Sequence, residues 1–429
     1  MDIKKYKIFL FPLLFTTVVY TILWFGYRKR KPIIINDSYQ YIACANNMAN
    51  HRTFYAGDIN KERDPFLYTL RTPIYPIFIY IVDKTHLHMN TMILLQFLLV
   101  LFNGFLLIKI LDTLKISEKW KFLLLTLFFL FPAEIVYTLS IMTEIFFQTT
   151  ILLFIYCNIR FFLYEKYKDL LYASLFLTAA IFTKPVMLYF SYLYFVFIIA
   201  FSLRRKKFSW IIYPIVVFIF IASWSYRNYR VTKSFHFSSA GIVNLIDRDV
   251  YGFLKLNYGD KFALSYVDSI EKESKGKENF SKAINFTKKE CFKVIKGNFP
   301  GFSFFWIKGI LNFFLDPGRF DFAILRGEKG RGLLSEFFRA GYKGILKSIF
   351  SHPGTVLLLF IGVSYNVFLA IMLFLFLFKK QIDLKIRVII FIIIIYIALI
   401  TGPMSASRFR LPVYPLMLFA LGGTIIKDK

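Results

Sequence analysis

The chain has 429 residues, 57% of them hydrophobic and 54 of them phenylalanine, which excludes a soluble domain of this length and indicates a polytopic membrane protein. Its formal charge of +28 does not indicate nucleic acid, because the Lys and Arg lie in loops and tails between apolar runs, where anionic lipids and lipid-linked phosphate are the partners they fit. Three cysteines, Cys44, Cys157 and Cys291, are too few and too scattered for a disulfide framework or a metal cluster.

The first apolar run, 7–26, has no small-residue cleavage site after it and reads as an uncleaved span. Arg28-Lys29-Arg30-Lys31 follows, and the chain then turns polar from Asn36 to Tyr55. Tyr41, Ala45 and Met48 recur there at helical spacing, which predicts a short amphipathic helix at a membrane surface. Asn36, Asp37 or Ser38 is placed to cap it. Further spans of ~20 residues are predicted at 91–112, 120–138, 143–163, 170–183, 186–203, 209–226, 354–378, 387–402 and 411–426, some of them short. Pro132 predicts a kink or an early end in the third span.

The fold class that follows is an all-α polytopic membrane protein of about ten transmembrane helices, with a small external segment. Residues 1–245 form an N-terminal transmembrane module with the first outer loop, and 353–429 form the C-terminal spans. Between them, 246–352 is an external loop or subdomain, polar and charged as far as 298. The apolar stretch 300–316 within it is broken by Lys308 and Gly309 and reads as an interfacial or re-entrant helix.

Lys4, Lys5 and Lys7, the 113–121 and 164–169 loops, Arg204-Arg205-Lys206-Lys207, the 379–387 loop and the C-terminal lysines all fall on one side of such a chain. By the positive-inside rule that side is cytoplasmic, and both termini lie there. The Arg28–Lys31 cluster falls on the opposite side, against the rule.

No nucleotide-binding glycine motif and no H-E-x-x-H or C-x-x-C pattern is present. Gly327, Gly330 and Gly332 lie in a charged turn, and His86 and His88 read as loop histidines. No metal ligand set is visible, although scattered carboxylates leave room for a divalent cation. What remains is a set of polar residues at the outer ends of spans. Arg71, Lys184, Arg227 with Asn228, Arg408 and Arg410 supply five cations, and Asp37 and Glu144 supply two carboxylates. Singly, each cation reads as an interfacial anchor. Together they suit one chemistry, in which the cations hold a phosphate leaving group and a carboxylate deprotonates an acceptor hydroxyl. Asp58 and Asp64 read as solvated loop charges.

At these residues the chain resembles the GT-C superfamily of membrane glycosyltransferases, in the branch of protein O-mannosyltransferases and lipid A aminoarabinose transferases. The resemblance rests on the order of D-S-x-x-Y at 37–41, A-x-N-M-A at 45–49, R-T-P-I-Y-P at 71–76, M-T-E-I at 142–145, T-K-P at 183–185, W-S-Y-R-N-Y-R-V at 224–231 and S-R-F-R-L-P-V-Y-P at 407–415. It covers 1–245 and 353–429. It implies a polyprenyl-phosphate sugar donor, inversion at the anomeric carbon, and a lipid, glycan or protein acceptor. It also implies a catalytic Asp in the first outer loop, which falls on Asp37; Tyr41, Glu144 and Asn228 are the residues expected to support the site, Glu144 by orienting a cation. Many members carry a second acidic residue beside that Asp, where this chain has Ser38, and a loop lysine where it has Arg71. Residue usage rich in Phe, Ile and Lys suggests an AT-rich genome and a bacterial inner membrane, with the active site facing outward. A transporter or flippase of lipid-linked saccharides is the alternative expectation, and a structural membrane protein a third.

Overall fold

The computed structural model describes residues 3–29, 31–84, 89–318, 320, 321, 324 and 353–426. Arg30, His86, His88, Gly327, Gly330, Gly332 and the C-terminal lysines lie outside the described residues. Those described form helices and no strand, with one isolated bridge between Ile33 and Ser140.

The N-terminal helices are α1 (Ile3–Thr21), α2 (Asn36–His51), α3 (Ile74–Lys84), α4 (Met89–Leu111), α5 (Glu118–Phe129) and α6 (Pro132–Thr138). Next come α7 (Glu144–Tyr164), α8 (Tyr167–Thr183), α9 (Leu188–Arg205) and α10 (Ile212–Thr232). A smaller helical unit holds α11 (Ala240–Asn244), α12 (Tyr251–Tyr258), α13 (Asp260–Lys275) and α14 (Phe280–Gly297). The chain closes with α15 (Phe299–Leu315), α16 (Pro353–Phe376), α17 (Leu384–Thr401), α18 (Ser407–Arg410) and α19 (Tyr414–Ile425).

Six described segments are long and apolar enough to cross a membrane: Asn90–Leu114, Glu144–Tyr164, Pro185–Arg205, Phe208–Thr232, Leu359–Phe376 and Leu384–Thr401. A seventh is the pair α5 and α6, bent by 52°. The bend falls where the sequence places Pro132, which lacks an N–H to continue α5 and instead opens α6. The other predicted spans are shorter helices. The first is apolar over Leu10–Gly26, α8 has 17 residues, and α19 has 12 and is buried along most of its length.

The core is organised around α7. Its Phe147, Phe154 and Phe161 recur every seventh residue and are 1%, 0% and 0% exposed, and apolar residues cover its other faces too, as expected of a helix surrounded by others. Its 21 residues separate its ends by ~30 Å. At the C-terminal end Glu165 pairs with Arg205 and Lys207, each at 3.0 Å, and the Lys385 ammonium stands 4.8 Å from the Phe201 ring. Basic loops that the sequence assigns to one side therefore gather at one end of the bundle. Glu144 starts α7 at the other end.

That other end is sewn together by loop hydrogen bonds. Ile33 N–H donates to Leu139 O at 2.8 Å and Ile141 N–H to Ile33 O at 3.2 Å, which draws the start of α2 to the start of α7. Gln96 of α4 donates to Thr138 O and Ser140 O at 2.7 and 2.8 Å and accepts from the Tyr75 hydroxyl at 2.7 Å. Buried carbonyls of this non-helical link are thus satisfied from inside the bundle.

The smaller unit has its own core, with Val250, Phe253, Val267, Ile270 and Cys291 at its centre. All three cysteines are free and buried. The unit joins the bundle through α15, whose Trp306 indole donates to Leu399 O at 3.0 Å. Gly309 explains the break in the apolar pattern of α15. It lies against the Gly402–Pro403 backbone, and a Cβ there would fall well inside contact distance of the Gly402 carbonyl. Gly309→Ala must push α15 off the 402–405 turn, so a loss of about 1–3 kcal/mol is expected. A fall in the thermal midpoint of the detergent-solubilised protein, absent in Gly297→Ala where the added methyl meets open space, checks it.

Candidate active site

The helix that carries Asp37 begins where its first turn is capped by another residue. Ser38 Oγ accepts from Ile35 N–H at 3.0 Å, and Ser38 N–H donates to Ile35 O at 2.8 Å. The Asp37 carboxylate is left free for long-range partners. Gln40, Tyr41 and Cys44 follow it at i+3, i+4 and i+7, so they share its face of α2. Tyr41 and Cys44 are buried there.

Five charged side chains from five segments form one alternating chain. Asp37 Oδ1 accepts from Arg71 Nη2 at 2.8 Å, and Asp37 Oδ2 accepts from Arg408 Nη2 at 2.7 Å. Arg408 Nε donates to Glu144 Oε1, which also accepts from Lys184 Nζ at 3.0 Å. Glu144 is fully buried, while the side chains of Asp37, Arg71, Arg408 and Lys184 are 24%, 16%, 19% and 13% exposed. Three cations against two carboxylates leave the chain with one net positive charge. Burial raises the Asp37 pKa, but the guanidinium charges of Arg71 and Arg408 outweigh it and hold the carboxyl well below the usual range. At Lys184 burial wins and lowers the pKa despite Glu144.

Arg71 is mounted on a gripped loop. Its guanidinium donates to Gln40 Oε1 at 2.8 Å and to the Tyr41 hydroxyl at 3.2 Å, 4.6 Å from the Tyr41 ring centre. Behind it, Ser238 Oγ donates to Leu70 O at 3.2 Å, Ser239 N–H donates to Thr69 O at 3.1 Å, and His236 Nε2 meets Thr69 Oγ1 at 2.9 Å. Asn228 holds that clamp by donating to His236 O and Phe237 O. Arg227 donates to Tyr68 O at 2.8 Å and Phe54 O at 3.2 Å, its guanidinium against Phe54 and Trp224. Arg227 and Asn228 thus hold the Arg71 loop and make no contact with the charge chain.

Arg408 is mounted from the other side. Ser407 N–H donates to Asp316 Oδ2 at 2.6 Å and Ser407 Oγ to Asp321 Oδ2 at 2.5 Å. Arg410 points away from Arg408. It is 1% exposed and donates to Phe313 O, Phe314 O and Asp316 O at 3.1, 3.0 and 2.8 Å, satisfying the carbonyls at the end of α15. A phosphate-binding role for Arg410 does not fit this orientation. Asp64 Oδ1 caps the turn Pro65–Tyr68 through Phe66 N–H at 2.8 Å, and Asp58 Oδ1 accepts from Asn60 N–H at 3.0 Å, so both carboxylates serve loop turns.

Of the predicted site residues, Asp37, Tyr41, Arg71, Glu144, Lys184 and Arg408 come together; Arg227, Asn228 and Arg410 stand behind them. Gln40 and the pair Asp316 and Asp321 were not foreseen. Gln40 carries the signal of i+3 spacing from Asp37, whereas the two aspartates meet Ser407 only through tertiary packing. Arg408 holds both Asp37 and Glu144 in this structure, so a divalent cation shared by the two carboxylates would have to take its place. No group of three or more His, Cys, Asp or Glu able to hold a metal occurs among the described residues. Comparison with known proteins gives no match to a family model, a curated protein or a solved structure.

A carboxyl whose folded pKa is depressed adds stability above its unfolded pKa of ~3.9, and that stability is lost as pH falls through the folded value. Asp37→Asn is therefore expected to lower the thermal midpoint at pH 7. The gap to the wild type should narrow as pH drops below ~4, as a differential scan across pH will read.

Proposed function

We propose that the protein is an inverting GT-C-type glycosyltransferase that moves a sugar from a polyprenyl-phosphate donor to an acceptor hydroxyl. The observation that carries the reading is the alternating chain Arg71–Asp37–Arg408–Glu144–Lys184, with three cations and a partly exposed carboxylate in one place. Counting α1, the bent α5–α6 pair, α8 and α19 as crossings gives ten spans. The charge chain then faces the outer side of a bacterial inner membrane, and the basic loops face the cytoplasm. There the donor reaches the site sideways from the bilayer.

In the transfer, the acceptor oxygen forms a bond to the anomeric carbon as the bond from that carbon to the phosphate oxygen breaks. The electron pair leaves with the phosphate, and the acceptor proton passes to Asp37. The phosphodiester carries one negative charge and the product monoester gains a second, so Arg71, Arg408 and Lys184 stabilise charge that develops only as the bond breaks. Glu144 keeps Arg408 and Lys184 oriented.

Both oxygens of Asp37 accept guanidinium hydrogens in this structure. Each oxygen keeps a second lone pair, but the two guanidinium charges make the carboxylate a weak base, and a donor phosphate that draws one of them away raises its basicity. Donor binding before acceptor follows, and Asp37 competes with the phosphate for the same cations. Asp37→Asn is thus expected to bind a lipid phosphodiester about tenfold more tightly than the wild type. The same variant should lose transfer by about 10²–10⁴-fold, read as release of free lipid phosphate from a lipid-phosphate sugar by the purified protein. Wild-type turnover in Asp37→Asn sinks the proposal. A transporter of lipid-linked saccharides could use the same cations but would leave the sugar–phosphate bond intact.

A further inference from the structure

The helix α14 has two faces of opposite character, and only one has a partner in the protein. Phe280, Ala283, Ile284, Thr287, Cys291 and Val294 are buried. On the other side Lys282, Lys289, Phe292 and Lys296 recur at spacings of seven, three and four, and all are exposed, with Phe292 at 50%. Lys282 pairs with Glu278 and Lys293 with Glu290. Lys288, Lys289 and Lys296 carry no ion pair among the described residues.

The position of this face in the chain says what covers it. One residue, Asn298, separates α14 from the apolar helix α15, and Phe302 N–H donates to Asn298 O at 2.8 Å, so helical hydrogen bonding resumes at once. Phe299, 65% exposed, stands at the junction, and α15 then exposes Phe304, Ile307 and Leu311. Lysines around an exposed aromatic side chain, leading directly into an exposed apolar stripe, fit the head-group layer of a bilayer. A soluble anionic polymer would account for the lysines but not for Phe292 or for their continuity with α15.

We infer that the Lys289–Phe292–Lys296 face of α14 binds the anionic head groups of membrane phospholipids and seats the smaller helical unit on the bilayer surface. The inference does not rest on the enzymatic reading.

The test uses the full chain carrying Phe292→Trp in nanodiscs, with the wild-type tryptophan signal subtracted. Brominated phosphatidylglycerol, mixed equally with phosphatidylcholine, should quench the new tryptophan at least about twofold more than brominated phosphatidylcholine does in the same mixture. Adding Lys289→Glu and Lys296→Glu should remove that preference, and so should high salt on the unreversed protein, which guards against a folding defect in the doubly reversed variant. Equal quenching by the two lipids, or none by either, overturns the inference. So does loss of the phosphatidylglycerol preference when soluble poly(glycerol phosphate) is added at constant ionic strength, since the face would then belong to a polymer.

Discussion

Glu144 is a fully buried carboxylate at the first residue of the most enclosed of the membrane-length helices, and the arrangement around it depends on how that charge is neutralised. An isolated charge at such a position would be prohibitive, and a pair is tolerable only when its geometry is good. Lys184 from the α8–α9 turn and Arg408 from the turn after α17 both come to it. Arg408 then turns its Nη2 to Asp37, and Asp37 has one oxygen left for Arg71. Each ion in the series completes the coordination of the one before. A requirement of stability at the head of α7 thereby extends to the edge of the solvent, where the last members can meet a ligand.

The two arginines of this series are held by different means. Arg71 sits on a loop gripped through its backbone by Arg227, Ser238 and Ser239, with Asn228 fixing the grip. Arg408 sits on a short helix fixed by Asp316, Asp321 and, through Arg410, by the end of α15. Backbone carbonyls absorb the charges of Arg227 and Arg410. Those two cations spend their hydrogen bonds on position, which frees Arg71 and Arg408 to spend theirs on carboxylates.

Much of this was legible in the sequence. The apolar runs mark most of the long helices, Pro132 marks the bend between α5 and α6, and charged residues at the ends of apolar runs mark the members of the site. The runs at 170–183 and 411–426 form helices shorter than a span usually needs, because burial among neighbours makes a segment apolar as effectively as lipid does. The sequence could not separate arginines that face the site from those that hold it. Arg408 and Arg410 are two residues apart in one motif, and two helical steps, about 200° together, send them to opposite sides. Nor could it separate the cap from the long-range acceptor at Asp37 and Ser38, since both side chains can accept at a helix start and only the tertiary partners decide.

The close seat of Gly309 on Gly402 bears on how the molecule divides. The sequence groups α15 with the external segment, yet α15 packs against the 402–405 turn, and its last carbonyls hold Arg410. Helices α12 to α14 enclose a small core of their own, with Phe302 of α15 at its edge. A chimera that trades the smaller unit for another should therefore be joined just before Phe299. A junction placed after Leu315 would carry away the support of Arg408 along with the unit it was meant to replace.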